Sequence, residues 1–407
     1  MFRKILDTSR MLMLFAALPM LFMAAVHAED APKPDKLFER EDTLSISFTG
    51  PWEDVVQNEK EQGAYPARIS YTDELGNTEA LDVTVERRGV TRQRVCRIPP
   101  IKIRFEKGSA KGTTFRGQGS LKMVTHCQKS SSYQQYYILE MLAYRMYNQL
   151  TDFSFRVRPL SVTYHLAGSD DEDDSVGPVF AFLIEDDKDV ANRHDLDKVN
   201  IPKINPSRLD TDEAALFSLF QYMIANVDWA ATSGPDPKEC CHNTKLIGPE
   251  PPEPEDLLYA IPYVFDSSVL VNARYAAPNE SLPIRSVTQR LYRGYCAHKD
   301  SLEGARQKML ENEQAIYGLV EAESRLEKRN KGKALDFLED FFEIIKDDKK
   351  FNKDVIEKCR GCTCSRSDVS REPNSGRPGP VSNSRKQSRL SPLPQFSSYS
   401  LAAASRP

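Results

Sequence analysis

The sequence predicts an α+β protein of two lobes, a β-rich lobe over residues 29–186 and a mainly helical lobe over 187–360. Three observations carry this reading. Through the first half, apolar and polar residues alternate in short runs, the period of a half-buried strand. In the second half apolar residues recur three or four apart, the period of a helix with one buried face. The periodicity then stops at Gly361: the last 47 residues hold 12 Ser and 6 Pro, the composition of a disordered tail.

The chain opens on a basic start, Arg3 and Lys4, followed by an apolar run from Met11 to Val26 and the small-residue site Ala25-Val-His-Ala28. This is the pattern of a secretory signal peptide cut after Ala28, so the mature protein is expected to be exported, periplasmic or secreted. No other stretch is apolar enough to span a membrane, and no stable span is expected after cleavage. Of 407 residues, 40% are hydrophobic and 28% charged, an ordinary globular balance. The net charge of −4 is unevenly spread: residues 1–28 carry +2, residues 361–407 carry +5, and the body between them −11. An acidic body argues against nucleic acid as a partner.

Strands are predicted at Leu44–Phe48, Ala67–Tyr71, Ala80–Glu86, Ile101–Phe105 and Ser120–Thr125, with a turn at Leu75-Gly76-Asn77. A helix follows over about Ser132–Gln149, where Leu139, Leu142, Ala143, Met146 and Leu150 form a stripe with Glu140 beside it. Two more strands, Arg156–Tyr164 and Val179–Ile184, flank the acidic run Ser169–Asp174. That run reads as a solvated turn rather than a calcium loop, which would want Gly and alternating ligands. In the second half Asp212 is expected to cap an apolar helix, Glu213–Ala225. Leu335, Leu338, Phe341, Phe342 and Ile345 mark an amphipathic segment within 301–360.

Eight cysteines remain after cleavage, and in an exported protein they read first as disulfides. Cys96 and Cys127 flank adjacent strands and are the favoured pair. Either Cys240 or Cys241 is expected to meet Cys296 or Cys359. A zinc reading of Cys240-Cys241-His242 lacks the usual ligand spacing. Cys362 and Cys364, with Cys359, read as thiols or disulfides before a metal site.

The stretch with most chemistry runs from Asn226 to Asp266. It delivers Asp228 after a buried helix, then the pair His242-Asn243, then a short strand ending on Asp266. Two carboxylates and an amide on adjacent loops can hold a hard cation and orient a hydroxyl. Upstream lie the turn Arg88-Gly89, a strand with Lys122, and the helix with Glu140. In this order the parts resemble a protein-kinase-like fold, and more closely the CotH-type atypical secreted kinases known from spore coat assembly. The resemblance covers roughly residues 83–270 and includes Leu183-Ile-Glu185-Asp186.

The resemblance implies a two-lobed kinase-like architecture, ATP and Mg or Mn as cofactors, and phosphoryl transfer to a hydroxyl on an unknown protein substrate. Asp228 would orient the acceptor hydroxyl, with His242 donating a hydrogen bond within the loop. Lys122, with Lys102 as its rival, would pair with phosphates and be held by Glu140; Arg88 and Gly89 would approach the phosphates. Asn243 and Asp266 would hold the metal. Val264 stands where a second carboxylate would have strengthened that set. The alternative function is a catalytically inactive kinase-like binding or structural protein of the cell envelope.

Overall fold

The computed structural model describes residues 34–361, apart from 58–62, 90, 129, 170–174, 236–237, 239, 277–281, 285 and 287–288. The signal peptide, the acidic run and the tail expected beyond Gly361 therefore lie outside the described residues, as do Cys362 and Cys364.

Seven strands close into a barrel. They are β1 (Leu44–Gly50), β2 (Tyr65–Thr72), β3 (Thr78–Arg87), β4 (Ile101–Phe105), β5 (Ser120–Val124), β6 (Val157–Leu166) and β7 (Ser175–Ile184), in the spatial order β1-β2-β3-β4-β5-β7-β6. Neighbours run antiparallel, with one exception that closes the ring: β6 pairs parallel with β1, from Leu44 opposite Leu160 to Gly50 opposite Leu166. Each strand turns alternate side chains inward, as the pleat requires. Phe48, Ile69, Val85, Ile101, Ile103, Leu121, Met123, Leu160 and Val162 fill an apolar interior. β7 reads as an unbroken apolar run because both its faces are buried: Ala181 and Leu183 point into the barrel, while Phe180, Phe182 and Ile184 face the helices. The β6–β7 register shifts between Val162 and Tyr164. Opposite that bulge sits Gly177, where a Cβ would lie 2.5 Å from the Val162 carbonyl oxygen, so the close approach demands glycine.

Of the helices, Ser131–Asn148 packs against β6 and β7, while Trp52 and Val55 of the first join the barrel's core. The helices include α1 (Trp52–Gln57), α2 (Thr91–Val95), α3 (Ser131–Asn148), α4 (Asp187–Asn192) and α5 (Thr211–Met223), then α6 (Leu302–Glu311), α7 (Glu313–Ala322), α8 (Lys328–Lys346) and α9 (Asp348–Asp354). α3 is buried on more sides than its stripe predicts: Tyr137, Tyr144 and Tyr147 are enclosed with the leucines. α5 is capped by Asp210, two residues before the expected Asp212; its side chain accepts from the Glu213 N–H at 3.0 Å. α8 buries Leu338, Phe341, Phe342 and Ile345 as its spacing predicts, with Leu335 half-buried. A small antiparallel sheet orders β10 (Tyr259–Pro262), β9 (Thr244–Gly248) and β8 (Asp197–Lys198).

This architecture corrects the sequence reading. The strands fall close to where they were expected, but they do not form the open β-rich lobe of a two-lobed kinase-like fold. The parallel β1–β6 pairing consumes the edge such a lobe would leave free, and the result is a closed barrel beside a helix-rich segment. The resemblance to CotH-type kinases does not survive that difference. Among the described residues no helix is long and apolar enough to cross a membrane, in line with the absence of a stable span.

The disulfides agree in part. Cys96–Cys127 forms as expected, across the mouth of the β4–β5 hairpin. Cys240 does not reach Cys296 or Cys359; it bonds its neighbour Cys241, and Cys296 bonds Cys359.

Candidate functional site

A cleft of about 520 Å³ opens where one end of the barrel meets the loops around β9 and β10. All eight residues singled out in the sequence line it: Arg88, Gly89, Lys122, Glu140, Asp228, His242, Asn243 and Asp266. Their partners differ from those expected.

The floor is built on Arg92, which the sequence reading passed over as part of a basic turn. α2 is one turn long, and its end is fixed: the Cys96 N–H donates to the Arg92 carbonyl at 2.9 Å, and Cys96 is tied to Cys127. This aims Arg92 inward. Its Nη2 lies 2.5 Å from Glu140 Oε2, its Nε lies 3.0 Å from Asp266 Oδ2, and the same Nε donates to Tyr275 Oη at 3.0 Å. The three charged side chains are 8%, 2% and 9% exposed. Burial opposes the charge on Arg92, but Glu140 and Asp266 together hold its pKa well above the ordinary value. Burial pushes the Glu140 carboxyl up, against the pull of Arg92.

Lys122 does not meet Glu140. Its Nζ lies 3.7 Å from Asp187 Oδ1 and 5.9 Å from the Phe155 ring centroid. Burial lowers its pKa, Asp187 and Asp186 resist, and Arg88 and Lys245 add repulsion. Its sheet neighbour Lys102, the rival candidate, sits opposite it on β4 and is not among the cleft residues. Glu185 is fully buried; burial raises its pKa to about 7, while Arg193 3.2 Å away pulls it down. Asp186 caps α4 by accepting from the Lys188 N–H at 3.0 Å. Both are structural.

Arg88 is the outlier. Its backbone N–H donates to Pro100 O at 2.8 Å. Its guanidinium lines the cleft and has no ion pair or side-chain hydrogen bond among the described residues. Burial lowers its pKa, with Tyr263, Tyr144 and Glu140 offsetting part of that. Next to it Gly89 adopts φ +85°, a conformation costly for other residues; a Cβ there would meet nothing within 4 Å.

Across the cleft, Asp228 is hydrogen-bonded by His242 and Asn243. His242 Nε2 lies 2.8 Å from Asp228 Oδ1, and Asn243 Nδ2 donates to Asp228 O at 2.7 Å and Oδ2 at 3.1 Å. His242 is held by a two-bond bridge with Ala230, at 2.9 and 3.0 Å. The Asp228 hydrogen bond raises the His242 pKa, and the His242 bond lowers that of Asp228. Both side chains stay about 40% exposed, so the pair is open to solvent and to a ligand. Asn243 and Val264 adopt φ +47° and +62°. Asn tolerates this; a β-branched Val does not, and the Val264 N–H is held by donating to Tyr144 Oη at 2.8 Å.

No protein-family model matches the chain, and the search of curated proteins returns no significant match. The kinase reading therefore rests on the geometry alone, and the geometry does not carry it. The barrel is closed, and the expected Lys122–Glu140 pair is replaced by Arg92–Glu140. Among the described residues no group of three or more His, Cys, Asp or Glu side chains is placed to hold a metal ion. Kinase-like phosphoryl transfer from ATP, the inactive kinase-like or envelope-structural alternative, and metal binding through Asn243 and Asp266 are accordingly withdrawn. The joined sulfurs of Cys240 and Cys241 also remove the zinc reading beside His242.

Proposed function

We propose that the cleft binds a small molecule carrying an oxyanion, a phosphate or a carboxylate, and that the Asp228–His242 pair performs acid–base chemistry on it. One observation carries this reading: Arg88 is a half-buried guanidinium whose charge burial opposes, facing a cavity, with no carboxylate paired to it among the described residues. A buried cation without a partner is costly, and a bound anion would offset that cost through a forked, charge-assisted hydrogen bond. Lys122 lines the same cavity and would add a second positive charge. The Glu140–Arg92–Asp266 cluster keeps Arg92 occupied, which leaves Arg88 as the anion anchor.

His242 sits opposite, with its Nε2 on Asp228. A His of raised pKa, oriented by a carboxylate and exposed to the cleft, is placed to give a proton to a bound ligand and take it back. The test is a calorimetric titration of the purified chain with inorganic phosphate and with a short dicarboxylate, while the His242 imidazole resonance is followed by NMR. Binding of either anion, lost in Arg88→Met, is the expected result. No heat and an unmoved His242 resonance at millimolar anion would sink the reading.

A further inference from the structure

We infer that Cys240–Cys241 is a site of reversible thiol–disulfide exchange, opened by a dithiol, that sets how firmly His242 is held in the cleft. The other two disulfides span sequence separations of 31 and 63 residues and so restrict the unfolded chain. A bond between neighbours, with a separation of 1, closes no loop and gives almost none of that stabilisation. Its effect is local.

The place it acts is specific. Cys241 lines the cleft, and the ring it forms with Cys240 immediately precedes His242 and Asn243. One side of the ring is anchored by the Cys240 N–H donating to Ile201 O at 3.1 Å, the other by the bridge between His242 and Ala230. The disulfide thus stiffens the short segment that delivers His242 to Asp228. Both sulfurs belong to half-buried residues, as do those of Cys296 and Cys359, whereas Cys96 and Cys127 are 9% and 0% exposed; against Cys296–Cys359 the difference is the missing loop. A partly exposed sulfur next in sequence to an imidazole whose positive form Asp228 favours is where thiolate exchange is favoured.

The step balances with a dithiol as reductant. One of its thiolates attacks Cys241 Sγ, the Cys240–Cys241 bond breaks, and Cys240 leaves as a thiolate that takes up a proton. The second thiol of the reagent then attacks its own sulfur in the mixed disulfide, releasing Cys241 as a thiol and the reagent as a cyclic disulfide. Two electrons and two protons pass from the dithiol to the protein. With the ring open, the segment before His242 regains freedom and the His242–Asp228 bond is less well held.

The consequence for ligand affinity rests on the anion-binding reading above; the exchange itself does not. The purified full chain is equilibrated in graded dithiothreitol, alkylated and peptide-mapped. His242 titration by NMR and calorimetry with inorganic phosphate are run on the same samples. Cys240 and Cys241 should become alkylated at a dithiol level at least about tenfold below that needed for the other two disulfides. The His242 pKa should then fall toward the ordinary imidazole value, and phosphate should bind more weakly. Opening of all three disulfides together, opening of Cys240–Cys241 last, or an unchanged His242 titration after it opens would each overturn the inference. If it opens first and shifts His242 but phosphate binds neither form, the exchange site stands and the anion reading fails. A C240S/C241S variant should show the reduced-form titration in oxidising buffer; if it does not fold, the wild-type series decides.

Discussion

On the α2 side of the cleft, Arg92 is locked between Glu140 and Asp266 with less than a tenth of any side chain exposed. On the opposite side, Asp228 and His242 form a pair that keeps about 40% of its surface in solvent. Both set a carboxylate against a basic group, and burial decides what each can do. The enclosed cluster cannot exchange partners without stranding a charge, so its role is to hold the floor of the site. The open pair can change protonation at modest cost, which suits chemistry. Arg88, four residues before Arg92, stands between these cases: its charge is opposed by burial like the first, it reaches the cleft like the second, and it has no ion pair among the described residues.

Several substitutions would break or sharpen that contrast. Arg92→Met leaves two buried carboxylates without their cation and should cost about 3–5 kcal/mol, read as a lowered midpoint of urea unfolding. A change below about 1 kcal/mol would mean the cluster is wetter than its exposure implies. Arg88→Met removes a cation that burial makes costly, so it should leave the ligand-free fold as stable or slightly more stable, and weaken phosphate binding by about 1.5–3 kcal/mol, the worth of a charged hydrogen bond. If it instead destabilises the fold as much as Arg92→Met does, Arg88 is structural.

Asp228→Asn should cost at most about 1 kcal/mol, given the exposure of the pair, and that cost should depend on pH. His242 has its folded pKa raised from 6.5, so its share is complete below the unfolded value and lost as pH climbs through the folded one. Asp228 has its folded pKa lowered from 3.8, so its share is present above the unfolded value and lost as pH falls through the folded one. The difference between wild type and variant should therefore be widest from about pH 4 to 6.5 and shrink on either side. A flat difference across pH 4–9 would argue that the bond carries no stability. The smallest effect is expected of Val264→Asn, which suits φ +62° better than a β-branched residue and should stabilise by about half a kcal/mol. Destabilisation by a kcal/mol or more would show that Val264 packing outweighs its backbone strain.

Much of the fold was legible because it is local. Alternation marked most of the barrel strands, and the apolar run Val179–Ile184 was legible as a strand, though not which of its faces are covered. The closure was not legible. Nothing within Leu44–Gly50 indicates that it pairs with Val157–Leu166 rather than ending a sheet, because partner choice is a tertiary property. The site shows the same division. Asp228, His242, Asn243 and Asp266 drew notice as polar residues at the ends of apolar elements, and they do converge on the cleft. Arg92 was missed: in the sequence it is one cation of several in a basic stretch. The one usable signal was its spacing, four residues before a cysteine that the strand order already paired with Cys127. The Cys240–Cys241 bond was missed because a search for partners looks outward along the chain, and here the partner is the next residue.

The parallel closure of β1 on β6 also bears on how the protein reaches its native state. β1 is made early, but the strand that covers its free edge comes only after β2 to β5 and α3 have been synthesised. Until then one row of backbone donors and acceptors on β1 is unsatisfied, in a chain whose other strands present the same hazard to their neighbours. Such a long-range pairing is slow to find, so the unclosed barrel is the species most exposed to association with other copies. Expression at low temperature, or with a chaperone that shields strand edges, should raise the soluble yield more than any substitution in the cleft.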